Sequence, residues 1–188
     1  MGRRDQVGHR ARSRMRSQLL YGLGATAAML GLALSPAVPA GASSNEGTIL
    51  EFESMVGVSG QFVGATGTPV RELHGGGFPW VITRGEGEVD SAGNVEVEVR
   101  GLVLANTPPV PPSLRLTNPV ANFRAVVSCL DSSGNAVNVA TGPFPASPQG
   151  NAEIETAVQL PRPCRDPIVF VTTPGLAWFA MSVHQAED

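Results

Sequence analysis

Lysine is absent from this 188-residue chain, and all 13 of its cationic side chains are arginine. An all-arginine set fits a GC-rich bacterial coding sequence. Histidine is nearly as scarce, with His9, His74 and His184 only, and Tyr21 is the single tyrosine. A serine or cysteine nucleophile needs a histidine to take its proton, so few such sites can be built here. The two cysteines, Cys129 and Cys164, have no neighbouring histidine and match no zinc-ligand spacing. No segment repeats its apolar residues at the 3.6-residue helical period. There is no G-x-S-x-G anywhere.

Long apolar runs are lacking too, with one exception from Leu19 to Leu34. Before it stand Arg3, Arg4, Arg10, Arg12, Arg14 and Arg16 against Asp5 alone. After it come Pro36 and two small-x-small sites, Val38-Pro39-Ala40 and Ala40-Gly41-Ala42. A basic start, an apolar middle and an A-x-A-like end make up a secretory signal. The positive end stays in the cytoplasm, so the following chain is exported. Residues 1–42 therefore read as a helical signal peptide cleaved after Ala42, with Ala40 the second choice. The competing reading, an uncleaved anchor, is opposed by Pro36, which ends the run short of the ~20 apolar residues of a stable span. The signal contains no cysteine, which excludes a lipid-modified lipoprotein. Arg3-Arg4 hints at twin-arginine export but lies far from the apolar run. Nothing downstream is long and apolar enough to form a second span.

Residues 43–188 are then expected to form a single secreted domain. They keep seven arginines and fifteen acids, a net charge of −8 against −3 for the whole chain. That charge argues against nucleic acid, whose phosphates call for a basic surface, and against anionic membranes. An even cysteine count in an exported chain predicts a disulfide between Cys129 and Cys164.

What the sequence does have is period-2 alternation, the mark of half-buried strands. It runs through Val95-Glu96-Val97-Glu98-Val99-Arg100, Ala152 to Val158 and Phe123 to Cys129. Further strands are expected at 48–56, 60–64, 80–89, 136–140, 167–173 and 176–183. The stretches 167–171 and 177–181 are apolar on both faces, which predicts strands covered on both sides. Asp90-Ser91-Ala92-Gly93-Asn94 and Asp131-Ser132-Ser133-Gly134-Asn135 read as two hairpin turns. Pro-rich stretches at 106–112 and 143–148 read as loops or crossovers. Short strands with regular turns point to an all-β antiparallel β-sandwich of immunoglobulin-like architecture. Both tryptophans fall outside the cysteine pair, unlike a true immunoglobulin domain.

Function is less legible. His74-Gly75-Gly76-Gly77 matches an esterase oxyanion motif, but the nucleophile elbow and helices of that fold are missing. It reads as a flexible glycine loop before Trp80. His74, Phe78 and Trp80 are the candidate binding residues, an aromatic platform for a sugar or other extracellular ligand; the favoured reading of the two indole rings themselves places both Trp80 and Trp178 in the core. The glutamate pairs 51/53, 86/88, 96/98 and 153/155 each occupy one strand face. Pairing Val89 with Val95 would set Glu88 against Glu96 and Glu86 against Glu98, which is unfavourable. Staggered pairing on a solvated face is the expectation, with a calcium ion as the alternative. No cofactor and no metal is expected. The leading reading is a non-enzymatic secreted module that binds or structures something at the bacterial cell exterior: a glycan, a wall component or another extracellular protein. The alternatives are a hydrolase using Glu86, Glu88, Glu96 or Glu98, and a partner-binding protein using the 106–112 loop.

Overall fold

Valine alternating with glutamate suits an extended chain with one face in oil and one in water, and the chain folds that way. The computed structural model describes residues 47–183; the expected signal segment 1–42 and His184 lie outside them. The strands are β1 (Thr48–Phe52), β2 (Met55–Gly57), β3 (Trp80–Val81), β4 (Arg84–Asp90), β5 (Asn94–Arg100), β6 (Val103–Leu104), β7 (Asn122–Leu130), β8 (Ala136–Ala140), β9 (Phe144–Pro145), β10 (Ala152–Ala157), β11 (Arg165–Thr172) and β12 (Trp178–Ser182). Every strand pairing is antiparallel. No α-helix occurs among the described residues.

Four strands form one sheet in the order β1-β4-β5-β10. Six form another in the order β2-β12-β11-β7-β8, with β9 added to β7, and β3-β6 make a short ribbon. One apolar cluster joins the sheets. The four-stranded sheet contributes Leu50, Phe52, Val89, Val95, Val97, Val99 and Ile154; the six-stranded sheet contributes Phe123, Ala125, Val127, Val169, Val171 and Phe179. Each enclosed valine, leucine, isoleucine or phenylalanine among them stabilises the fold by roughly 1.5–3 kcal/mol.

Two expected strands are each two strands in different sheets. The 48–56 stretch divides at Glu53-Ser54 into β1 and β2, and 80–89 divides at Ile82-Thr83 into β3 and β4. An apolar face cannot follow one sheet around the rim of the core, so the chain bends and changes sheet. The expected strand at 60–64 is instead a 3-10 turn, Gly60–Phe62. Strands β6 and β9 carry only two residues each, too few to show alternation.

Both Asp-Ser-x-Gly-Asn sequences make the anticipated turns, joining β4 to β5 and β7 to β8. In each, Oδ1 of the aspartate accepts backbone N–H bonds from the turn. Cys129 is fully buried and bonded to Cys164. Strands β11 and β12, apolar on both faces, are covered twice. Phe179 stacks on Trp80 and meets the edge of Phe123 on the core side. On the other side Trp178 meets Phe170 and Phe62. Phe62 belongs to a strap, residues 59–79, that lies over the outer face of the six-stranded sheet.

Candidate binding surface

The strap accounts for the histidine-glycine run. Gly75 forms a parallel bridge with Trp178, Gly76 N–H donates to the Trp178 carbonyl, and Trp178 N–H donates to the His74 carbonyl. The Trp178 indole N–H donates to the Leu73 carbonyl at 3.2 Å. Gly75 and Gly76 are buried. A Cβ at Gly75 would stand 2.2 Å from the Phe62 carbonyl oxygen, and one at Gly76 2.9 Å from the Phe179 ring. Gly75 and Gly76 let the chain pack this closely and form a seam in place of the expected flexible loop, while Gly77 is exposed with nothing within 4 Å of a Cβ. The side chain of His74 is exposed and Phe78 is half-buried, while Trp80 is 4 % exposed with its ring centroid 3.9 Å from that of Phe179.

Glutamates concentrate on the outer face of the four-stranded sheet. Val89 pairs with Val95, and no stagger intervenes: Glu88 stands opposite Glu96, and Glu86 opposite Glu98. The expectation of staggered pairing is therefore corrected. Burying Val89, Val95, Val97 and Val99 together decides the register, because a one-residue slip would turn every valine to water. The flanking strands extend both rows. Glu51 lies opposite Glu88, Glu155 opposite Glu96, and Glu153 opposite Glu98. One row thus reads Glu51, Glu88, Glu96, Glu155 across four strands. The next reads Glu86, Glu98, Glu153.

The rows differ in compensation. Arg84 and Arg100 sit opposite each other at the end of the sheet. Arg84 reaches Glu86 at 2.6 Å; Arg100 reaches Glu98 at 2.6 Å and Glu153 at 2.8 Å. These bonds, first to Glu86 and first to Glu98 respectively, raise the pKa of both guanidinium groups. In the other row the Thr48 hydroxyl donates to Glu88. The side chains of Glu51, Glu96 and Glu155 make no hydrogen bond or ion pair among the described residues.

Gly85 and Gly87 occupy core-facing positions of β4. A Cβ at Gly85 would meet the Met55 side chain at 2.6 Å, and one at Gly87 would meet the Phe52 ring at 2.8 Å. Strand glycines of this kind mark a bend or a close approach. The outer face above them is a shallow groove of about 470 Å3 lined by eight glutamates, the seven in the two rows and Glu53. No three His, Cys, Asp or Glu side chains among the described residues gather closely enough to hold a metal ion. Sheet geometry spreads the carboxylates about 5 Å across strands and 7 Å along them, which suits a chain of separate positive charges.

Sequence reasoning paired Glu86, Glu88, Glu96 and Glu98 but did not join Glu51, Glu153 and Glu155 to them. The signal was present as four i, i+2 glutamate pairs, three within strands and one at the end of β1; strand order supplied the rest. The chain matches no protein-family model, no curated protein and no solved structure.

Proposed function

We propose that this chain is an exported, non-enzymatic β-sandwich module of immunoglobulin-like architecture that binds a cationic partner through the outer face of its four-stranded sheet. The observation that carries this reading is the uncompensated row Glu51, Glu88, Glu96, Glu155. Each opposed carboxylate pair costs about 0.7 kcal/mol before screening. A partner bearing guanidinium or ammonium groups converts that repulsion into attraction, and the steering field of the face speeds its approach. An exposed sheet face with its own edges charged at Glu51, Glu153 and Glu155 also resists strand-to-strand aggregation.

Export rests on the basic, apolar and small-residue pattern of residues 1–42, and the Cys129–Cys164 bond is compatible with an oxidising compartment. N-terminal mass spectrometry of the processed chain is expected to begin at Ser43. The binding reading is tested by titrating the protein with an arginine-rich octapeptide and with its all-glutamine counterpart. Binding of the first only, weakening with salt and lost in the Glu88→Gln, Glu96→Gln double variant, supports it. Equal binding of both peptides, or an unaffected double variant, overturns it. Hydrolytic turnover abolished by Glu88→Gln or Glu96→Gln would replace it with the hydrolase reading.

A further inference from the structure

One peptide bond of the six-stranded sheet is built unlike its neighbours, and it has no part in the carboxylate face. Asp166-Pro167 lies near the start of β11, inside an irregularity: Arg165 pairs with Leu130 and Ile168 with Ser128, and the register shifts between them. A bulge bends the strand and re-aims the residues it carries. Asp166 has φ of 44°. Aspartate tolerates left-handed backbone better than most residues, but the ring of a following proline pushes its predecessor towards extended backbone. Strain of this kind persists where surrounding contacts hold it, and it clusters where chemistry occurs. Asp166 is exposed, and its carboxylate makes no hydrogen bond or ion pair among the described residues.

A guanidinium reaches this bond from far along the chain. Arg71 Nη2 donates to the Asp166 carbonyl oxygen at 3.0 Å. Arg71 sits in a tight turn of the strap: Val70 and Leu73 exchange both backbone hydrogen bonds, and Arg71 and Glu72 between them have φ of 50° and 67°. Turns of this sign pattern ordinarily use Asn or Gly. The Asn138 side chain on β8 donates to the Arg71 carbonyl at 2.8 Å and so fixes the turn that presents the guanidinium. Arg71 Nη1 is buried without a partner, and no carboxylate pairs with Arg71 among the described residues. The charge is therefore uncompensated where it meets the Asp166 carbonyl.

We propose that the folded chain cleaves its own Asp166-Pro167 bond, with the Asp166 carboxyl group as nucleophile and Arg71 holding the oxyanion. A carboxyl oxygen of Asp166 attacks the carbonyl carbon of the same residue, so nucleophile and target are already together. The carbonyl oxygen takes up the negative charge, and the Arg71 guanidinium already bonded to it stabilises that charge. The C–N bond breaks, the carboxyl proton passes to the Pro167 nitrogen, and Asp166 is left as a cyclic anhydride. The chain has no lysine, so no side-chain amine of its own captures the anhydride and water opens it, giving free α- and β-carboxyl groups. The net change is one peptide bond hydrolysed for one water consumed, with no oxidation or reduction. Cys164 precedes the cut and stays bonded to Cys129, so the piece beginning at Pro167 is retained only by pairing of β11 with β7 and of β12 with β2.

The test incubates the purified, folded protein in mildly acid buffer and follows it by denaturing gel and intact mass. A fragment beginning at Pro167 is expected, co-eluting with the rest of the chain until denaturant is added. The same chain unfolded in urea keeps the Asp-Pro sequence without the Arg71 contact, so the folded protein should cut on the order of 100-fold faster. Arg71→Gln should lose that advantage, and Asp166→Asn, which keeps the side-chain shape, should not cut. Hydroxylamine added to the folded protein should convert the new Asp166 terminus to a hydroxamate, as an anhydride requires. A folded protein that cuts no faster than its unfolded form overturns the proposal, as does a folded Arg71→Gln that cuts at the wild-type rate or a new terminus that carries no hydroxamate. The folded and unfolded wild type decide the matter even if Arg71→Gln fails to fold.

Discussion

Neutralising Glu96 should make this protein more stable. Glu96 sits in the middle of the uncompensated row, flanked directly by Glu88 on β4 and Glu155 on β10. Its side chain is exposed and makes no hydrogen bond among the described residues. Glu96→Gln keeps the side-chain shape and removes two opposed charge pairs. At ~6 Å in water each pair costs about 0.7 kcal/mol, so the row loses about 1.4 kcal/mol of repulsion before screening. Counter-ions at about 0.15 M reduce this to about 0.7 kcal/mol, and at about 1 M to nearly nothing. Urea unfolding of the wild type and Glu96→Gln at three salt concentrations reads the effect directly; the melting temperature should rise by roughly 3 °C at low salt. Glu96→Arg should gain about twice as much, since both pairs become attractive. Glu155→Gln, with one opposed neighbour instead of two, should gain about half. A destabilised Glu96→Gln, or a gain that ignores salt, would refute the reasoning. The same substitution should weaken binding of the arginine-rich peptide, because the repulsion and the binding come from the same charges.

Three other outcomes follow from the fold. Cys129 and Cys164 close a loop with a sequence separation of 35; replacing both by alanine should cost about 4 kcal/mol in urea unfolding, and a loss under about 1 kcal/mol would contradict the linkage. The two Asp-Ser-x-Gly-Asn turns should tolerate alanine unequally. Both glycines have positive φ, but a Cβ at Gly93 would stand 1.9 Å from the Val158 carbonyl oxygen, while one at Gly134 meets nothing within 4 Å. Gly134→Ala should cost about 1 kcal/mol and Gly93→Ala at least twice that; equal losses would show that the Val158 contact does not matter. Finally, stability should depend on pH through the turn aspartates. Burial pushes the Asp90 carboxyl up, but bonds from the Asn94 side chain and from the Asn94, Gly93 and Ala92 amides outweigh it and leave the pKa lowered. The Asn135 amide foremost lowers that of Asp131 against some burial. A lowered folded pKa stabilises the fold above the unfolded value and loses that contribution as pH falls through the folded one. The stability gap between wild type and the Asp90→Asn, Asp131→Asn double variant should be constant at neutral pH. It should close as pH falls below the ordinary aspartate value of 3.8. A gap that persists at lower pH would contradict this.

Much of the all-β character was legible in the residues because strand alternation and turn chemistry are local. The Val-Glu repeat of β5, the two turns and the strand at 136–140 are set by neighbours within a few positions. Cys129 could be placed on a core face for the same reason. The register of β4 against β5 follows from the turn and the valines, and the repulsion of the opposed glutamates does not shift it. Burial of four valines outweighs two exposed carboxylate repulsions of under 1 kcal/mol each.

Tertiary structure decided what local pattern could not. The breaks at Glu53-Ser54 and Ile82-Thr83 arise where the chain passes from one sheet to the other around the core, a constraint no short window contains. The glycine run at 75–77 reads as loose in isolation, and Gly75 and Gly76 become a seam only because Trp178, about a hundred residues later, lies against them. The sequence by itself determined the export-signal pattern, the acidic balance of residues 43–188, the glutamate pairs and the cysteine count, since all of these are composition or short-range order. Only the folded chain decided that β1 and β10 flank the β4-β5 hairpin. That order turns four scattered glutamate pairs into one continuous carboxylate face, because which strands become neighbours depends on how the apolar faces of the whole chain are buried together.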